Sequence, residues 1–405
     1  MRTPLGSLMI LWLAGCGRTE PHLVTQQELV TSTRVVVAEQ ARANVMLLVD
    51  RSSSMLTNTS TDAPCPPTLG GCGPRSPCPA GCPTRLSAVQ SALAQVLSTR
   101  GKQVRLGLTL FPSDAVCGPA GASEVRVHLP ASSVSDVDVA LQAQADAVIA
   151  ALSSIDAKGE TPTAESLQFL ARSGELSDAD RPGFVVLLTD GAPDCNAQNA
   201  FNCADPVACQ CTVDSCTPQN GLCSLGCLDA DPSVAAVRAL GALGVTTAII
   251  ALGPDAASSG AVDTFDRMMA ANPPKPFGLQ HSCPSGTDAE CGPGDACDGA
   301  TRSCRHRFWR ADDTAALTGI LESFFGPSPD DSGACDDVLD PAPADPGALS
   351  VFVNGAVQRG CASADGCQTW TYADGTLTFH GVTCELLKSS TPTSPVKLEV
   401  RFPRP

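Results

Sequence analysis

The chain has 405 residues, 43% of them hydrophobic, with 35 Gly, 33 Pro and 21 Cys, a composition that supports two or three domains with real cores and long loops. Its formal net charge of −16 and the absence of a clustered Lys/Arg stripe exclude nucleic acid as a partner, because phosphate contacts need concentrated positive charge. The acid surplus suits solubility and attracts divalent cations without specifying a site.

The N-terminus reads MRTPLGSLMILWLAGC. Arg2, an apolar run over 5–13 and the small residues after it read as a secretory signal, too short to span a bilayer as a helix. Its end, Leu13-Ala14-Gly15-Cys16, resembles the bacterial lipobox, which implies a diacylglyceryl group on the thiol of Cys16 and cleavage just before it. The competing reading is a plain secretory signal with an incidental cysteine. Gly17 in place of Asp points, under the enterobacterial sorting rule that the resemblance implies, to the outer membrane. The expectation is a protein of the bacterial cell envelope, anchored to the membrane by lipid on its periplasmic or surface face, since several acyl chains hold stably. Residues 17–40 are expected to form a polar, mobile tether, and no later segment is long and apolar enough to cross a bilayer.

From residue 44 the pattern alternates strand and helix. "NVMLLVD" (44–50) is a continuous apolar run of the kind buried on both sheet faces. "TRLSAVQSALAQVLSTRG" (84–101) spaces Leu86, Val89, Leu93 and Val96 as a helix, with Gly101 as a stop. "QVRLGLTLF" (103–111) is a second strand and "SEVRVHL" (123–129) a short edge strand. The segment 135–155 opens with Ser-x-x-Asp, read as a helix cap, and continues as an amphipathic helix. Helices are predicted over 163–173, 232–244, 261–271 and 312–325, and strands over 183–190, 245–253 and 306–311. Strands alternating with helices indicate an α/β fold: a doubly wound, mainly parallel sheet covered on both faces.

After residue 331 the pattern changes. "ALSVFVNGAVQ" carries Asn354-Gly355, "TWTYADGTLTFHG" carries Asp374-Gly375, and "VKLEVRF" (396–402) alternates strictly. Asn-Gly and Asp-Gly between alternating runs are hairpin signals. A small antiparallel β module follows, stapled by Cys335, Cys361, Cys367 and Cys384 because so short a chain buries little core. The resulting map is a leader to 16, a tether over 17–40, an α/β domain over 41–328 with Cys-rich inserts 57–83, 194–231 and 281–305, and a β module over 332–405.

Without Cys16 the cysteines number an even 20, as pairing in an oxidising compartment requires. Zinc is the competing reading, disfavoured because only five histidines are present and the leader indicates export.

In an open α/β sheet, ligands bind at the carboxyl ends of the strands. Asp50 ends the first core strand, in "VDRSSSM", and Asp190 ends another, in "VVLLTDGAP". Between them "KGETPTAESL" opens a helix with Thr161 two residues after Gly159. Three loops thus bring Asp50, Ser52, Ser54, Thr161 and Asp190 to one edge, an all-oxygen set suited to a hard cation such as Mg²⁺.

On these residues the sequence resembles the von Willebrand factor type A domain with its metal-ion-dependent adhesion site. Asp50, Ser52 and Ser54 match the family's Asp-x-Ser-x-Ser, Thr161 its loop threonine and Asp190 its strand-end aspartate. The resemblance implies that Ser52 and Ser54 ligate the metal, Mg²⁺ or else Mn²⁺ or Ca²⁺, that Thr161 does so directly or through water, and that Asp50 and Asp190 hold waters and the serine hydroxyls. Few charged ligands leave such a cation free to take a carboxylate from a partner. Arg51 and Ser53 are spacers with no metal role.

Inserts 57–83 and 194–231 leave the sheet at the same edge and are expected to rim the metal, with Cys117–Cys195 as the bridge between loops. Insert 283–304 is expected at the opposite, amino-terminal edge, its four cysteines open to three connectivities. No His-Glu-x-x-His, Gly-x-Ser-x-Gly or phosphate loop occurs, and the histidines read as surface or turn residues, so no enzyme and no small-molecule substrate is expected. The functional expectation is an adhesion protein whose cation captures an acidic group of a protein partner. A structural envelope protein with a merely stabilising metal is the alternative, and an accessory subunit of a secreted enzyme complex, as in some relatives of that family, is a third.

Overall fold

The computed structural model describes residues 29–36, 42–68, 70–132, 136–178, 181–195, 210–212, 226–272, 281–283, 285–325, 335–339, 342–343, 345–388 and 396–403. The expected leader 1–16 with Cys16, most of the tether, and most of insert 194–231 with Cys203, Cys209, Cys216 and Cys223 lie outside these residues. No helix among the described residues is long and apolar enough to cross a membrane.

In chain order the regular elements begin with β1 (Leu29–Val36), which pairs with the last strand of the chain. The α/β domain follows with β2 (Asn44–Asp50), α1 (Arg85–Arg100), β3 (Arg105–Phe111), β4 (Val125–Val127), α2 (Asp138–Leu152), α3 (Thr163–Ser173) and β5 (Gly183–Thr189). It continues through α4 (Ala230–Ala242), β6 (Val245–Leu252), α5 (Ser259–Ala271), the small hairpin β7 (Cys297–Asp298) and β8 (Ser303–Cys304), β9 (Trp309–Ala311) and α6 (Thr314–Phe324). Six strands form one sheet in the order β4-β3-β2-β5-β6-β9, parallel except for β4. Every residue of β2, β3, β5 and β6 is buried, as mostly apolar runs require of strands covered on both faces. Helices α1, α2 and α6 pack together, as do α3, α4 and α5. Successive strands proceed outward from β2 on one side and from β5 on the other, so the order reverses between them, which opens a crevice at their carboxyl ends.

The amino edge of the sheet is closed by buried charge. Asp136 accepts from Arg105 at 2.6 Å and from Arg181, and takes the backbone N–H of Arg42 where the chain enters the domain. Arg105 also holds Asn44 Oδ1 at 3.0 Å. Each charge is partnered, the condition under which buried ions are tolerated.

The helix over 135–155 starts later than its Ser-x-x-Asp motif suggests. Val137 precedes its first turn without a side-chain cap. Asp138 instead pairs with Arg42 and Lys102 at 2.6 and 3.0 Å. The last core strand is shorter than the predicted 306–311. Only Trp309–Ala311 pair, and they pair with Ile250–Leu252, the carboxyl half of β6. That short pairing corrects the placement of insert 283–304. Its chain enters the sheet halfway along β6, so Pro293 and Gly294 share a cavity of about 280 Å³ with Ala257, which follows β6 at the carboxyl edge. The insert is therefore not confined to the amino-terminal edge. It is closed by Cys283–Cys297 and Cys291–Cys304.

The C-terminal module contains β10 (Asp336–Val338), β11 (Ser350–Val353), β12 (Ala356–Gln358), β13 (Trp370–Ala373), β14 (Thr376–Phe379), α7 (Gly381–Lys388) and β15 (Val396–Pro403). Both hairpin turns form at the expected dipeptides, with positive φ at Asn354 and Gly355 and at Asp374 and Gly375, the backbone that such two-residue turns need. Val396, Leu398, Val400 and Phe402 enter the module core with Leu339, Val351, Val353, Trp370, Leu377 and Phe379. Cys335–Cys384 and Cys361–Cys367 staple it.

Two further features depart from expectation. Helix α7 appears where no element was predicted. The tether over 17–40 also contains a strand: β1 runs antiparallel to β15, from Leu29↔Pro403 to Val36↔Val396, and extends the module sheet to the order β1-β15-β11-β12. The segment "LVTSTRVV" is rich in β-branched residues, which favour an extended pleated backbone, and β15 offers it an open edge. The α/β domain is thus inserted between the first strand of the module and the rest of it.

Candidate metal centre

Asp50 closes β2 with its side chain fully buried. Its Oδ1 accepts the Ser52 N–H at 2.7 Å and its Oδ2 accepts the Thr189 hydroxyl at 2.6 Å. The first bond turns the chain sharply off the strand, and a 3₁₀ turn over Ser53–Leu56 follows. The turn brings the Ser52 and Ser54 hydroxyls to 2.9 Å from each other. Ser54 Oγ donates to Asp190 Oδ1 at 2.8 Å. Asp190 follows β5, the neighbour of β2, so the parallel register delivers both carboxylates to one end of the sheet.

The third loop is held by backbone. Ser53 N–H donates to Gly159 O at 2.9 Å, Lys158 N–H to Arg51 O at 2.6 Å, and Glu160 N–H to Val116 O at 2.7 Å. Gly159 has φ +78°, and a Cβ there would stand 2.8 Å from Val116 O and 2.9 Å from Pro112 Cγ, so this close approach needs glycine. Arg51, a spacer to the metal motif, is buried and clamps the same loops, donating to Pro112 O at 2.8 Å and pairing with Asp114. Thr161 is thereby set at the mouth of α3, 4% exposed.

Ser54, Thr161 and Asp190 line one cavity of about 800 Å³ with Glu160, Gly191, Asp194 and Ser258. The described part of insert 194–231 also lines it, through Gln210, Cys211, Thr212 and Leu228. Cys117 and Cys195 are bonded, tying the loop after β3 to the loop after β5. No histidine lines this cavity among the described residues. Nor does any residue of insert 57–83, which is closed on itself by Cys65–Cys82 and Cys72–Cys78.

Charge is concentrated here. Burial, then the neighbouring charge of Asp190, push the Asp50 carboxyl up to about 7 against the pull of its Thr189 and Ser52 bonds. Asp194 is raised well above the usual carboxylate range, by burial first and then by Glu160 and Asp50, although the Thr161 N–H opposes this. Burial raises Glu160 as well. Carboxyls crowded out of water in this way gain from a nearby cation.

Three residues of this arrangement escape a motif search. Asp194 accepts the Thr161 N–H on Oδ1 at 2.7 Å; its only sequence signal is its place four residues after Asp190. Thr189 is read as strand although its hydroxyl orients Asp50. Arg85 donates to Asp190 Oδ2 at 2.7 Å, both side chains being almost fully buried. A basic residue at the first position of a helix, the end where the macrodipole disfavours cations, is the signal that could have found it.

Other titratable clusters are occupied by structure. Cys291 and Cys304, which stand near His281 and Asp295, are bonded to each other, and every described cysteine is in a disulfide, so none of these offers a thiolate to zinc. His281, read as a surface or turn residue, is buried, with its Nδ1 2.7 Å from His306 O.

No family model matches the chain, and no curated protein matches it. Among solved structures it is similar to the pilus adhesin SpaC from Lactobacillus rhamnosus GG in its open conformation, at 13% identity and a TM-score of 0.39, covering 93% of this chain and 40% of that one. It is similar to proximal thread matrix protein 1 from the mussel byssus with zinc occupied MIDAS motif, at 14% identity and a TM-score of 0.36, covering 73% and 47%. It is also similar to the SpRpn10 VWA domain, at 11% identity and a TM-score of 0.29, covering 58% and 84%. The chain spans about two fifths of the length of the pilus adhesin. Likenesses at these TM-scores leave site and function to the residues themselves.

Proposed function

We propose that this chain is a binding protein of the adhesion type, in which Ser52, Ser54 and Thr161, backed by Asp50 and Asp190, hold a divalent cation that takes an acidic side chain of a protein partner. One observation carries the reading: the Ser54 hydroxyl bridges from Ser52 at 2.9 Å to Asp190 at 2.8 Å at the wall of the cavity that Thr161 also lines. The donor set is oxygen throughout, with few charged members, which suits Mg²⁺, Mn²⁺ or Ca²⁺ and disfavours a thiolate-seeking metal. A cation bound there supplies an electrophilic position for a carboxylate. The residues do the rest: Thr189 and the Ser52 N–H orient Asp50, Asp194 fixes the Thr161 backbone, and the bonded loops at Cys117–Cys195 hold the rim.

Capture needs no turnover, so the role proposed is that of a binder; among the described residues the cavity lining holds no histidine. The disulfides between described cysteines fit an oxidising compartment outside the cytoplasm. A lipid anchor at Cys16 would place the protein on the outer membrane; mass spectrometry of the membrane fraction tests it.

The test of the central reading is calorimetric titration of Mg²⁺ into chelator-stripped protein, then a pull-down with and without EDTA. We expect saturable Mg²⁺ binding that is lost in Asp50→Asn, and partner capture that EDTA abolishes. Capture that survives EDTA would favour an assembly role with a stabilising metal.

A further inference from the structure

Arg85 is the first residue of α1, and its backbone is fixed before its side chain is considered. Thr84 and Ser87 cap each other, with Ser87 N–H on Thr84 Oγ1 at 3.1 Å and Thr84 N–H on Ser87 Oγ at 2.7 Å. The Arg85 N–H itself donates to Thr57 O at 3.0 Å. The guanidinium, only 1% exposed, reaches Asp190 Oδ2 at 2.7 Å. Gly253, just after β6, leaves the slot it lies in: φ is +75°, and a Cβ would stand 2.9 Å from Arg85 Nε and 3.2 Å from its Cζ. Three elements therefore build a place for one buried cation directly behind a carboxylate of the centre.

The placement is costly on its own account. The helix dipole opposes positive charge at this end, and taking a guanidinium out of water is expensive unless a partner meets it. Asp190 is that partner, and it is already engaged by Ser54 through its other oxygen. Arginine stays protonated at any pH the fold survives, so its charge is a permanent part of the centre. Of the two carboxylates, Asp190 is thus largely neutralised in advance, and a dication on this donor set is left short of negative charge.

We infer that Arg85 is a charge-setting positioning residue: it weakens the hold of the centre on a bare cation and sharpens its demand for an external carboxylate, so that metal and acidic ligand are taken up together. This rests on the metal-binding reading above. The rival role, in which Arg85 only holds Asp190 in place, predicts the opposite sign. Removing a structural support loosens metal binding, whereas removing a competing charge tightens it.

The experiment uses the full chain, stripped with chelator and titrated calorimetrically with Mg²⁺, with and without saturating acetate as the carboxylate probe. Arg85→Gln, which keeps a donor for Asp190 but no charge, should bind Mg²⁺ about tenfold tighter than the parent in the absence of acetate. Acetate, which should tighten Mg²⁺ binding by the parent, should do so less in this variant. Arg85→Lys, which keeps the charge, should stay within about threefold of the parent. Weaker Mg²⁺ binding by a folded Arg85→Gln overturns the inference. If melting shows that this variant does not fold, the parent protein decides: an Mg²⁺ affinity unmoved by acetate overturns it equally. Absence of Mg²⁺ binding by the parent is a separate result, and it overturns the metal reading itself.

Discussion

Thr161 and Asp194 hold each other by two hydrogen bonds, Thr161 N–H on Asp194 Oδ1 at 2.7 Å and Asp194 N–H on Thr161 O at 3.1 Å. The pair joins the loop that opens α3 to the loop that leaves β5, and both residues are nearly buried. Asp194→Ala leaves the Thr161 N–H without this acceptor, and we expect a loss of about 1–3 kcal/mol in chemical denaturation together with weaker Mg²⁺ binding. Asp194→Asn keeps an acceptor and should lie within about 1 kcal/mol of the parent. Equal effects of Ala and Asn would show that the side-chain bond is not what matters.

Asp50 and Asp190 should differ when removed. Neutralising Asp50 relieves a crowded carboxylate, so Asp50→Asn should lose Mg²⁺ binding and keep or raise the metal-free melting temperature. Asp190→Ala removes the carboxylate to which the buried guanidinium of Arg85 donates, and breaking a buried pair from one side costs about 3–5 kcal/mol. Calorimetry and denaturation of the two variants side by side check this; equal stability losses would contradict the burial argument.

The raised Asp50 fixes the sign of a pH dependence. Its carboxyl stands at about 7 in the folded chain against an ordinary 3.8. Between those values the folded state holds a proton that the unfolded state has lost, so this contribution to stability falls as pH rises through the window. Asp194 is displaced in the same direction. In EDTA, the melting temperature of the parent relative to Asp50→Asn should drop between about pH 4 and about pH 7. On the metal reading proposed above, bound Mg²⁺ favours the ionised Asp50, so its affinity should weaken below about pH 7. A parent-minus-variant difference that is flat across this range contradicts the assignment.

The Cys117–Cys195 bridge closes a separation of 78 residues around the rim of the centre. Replacing both cysteines by serine should cost about 2–5 kcal/mol and weaken Mg²⁺ binding more than the same change at Cys361 and Cys367, which span a separation of only 6 in the C-terminal module. Matched titrations of the two double variants provide the comparison.

The module should need its distant strand. Residues 332–405 expressed alone lack Leu29–Val36 and leave β15 with one edge unpaired. That fragment should digest rapidly with protease, and a fusion that restores the 29–36 segment should resist. Equal protection of both would mean that the β1–β15 pairing adds little.

The parallel sheet is legible because β2 and β5 are nearly continuous apolar runs and β3 and β6 are mostly apolar, a pattern that strands buried on both faces permit and solvated ones do not. The turns at Asn354-Gly355 and Asp374-Gly375 are legible because few other dipeptides tolerate their backbone. The pairing of β1 is not. Strict alternation in Val396–Phe402 announces a strand but not which segment lies beside it, and a polar β-branched stretch reads equally well as a linker. Insert 283–304 is misplaced for a related reason: the pattern finds β9 but not the half-length register that lifts the preceding chain toward the site. Arg85 and Asp194 stay hidden because their importance lies in partners far along the sequence, Asp190 and Thr161, and no local period encodes that.

The β1–β15 pairing also orders events in time. As the chain is synthesised, Leu29–Val36 emerges well before its partner Val396–Pro403. The intervening α/β domain can fold first, and once compact it shortens the effective loop that the two strands must close. The final ladder then serves as a check of completeness. A product that stops short of residue 396 leaves β1 and β11 without their shared neighbour, an exposed edge of the kind that proteases and aggregation select.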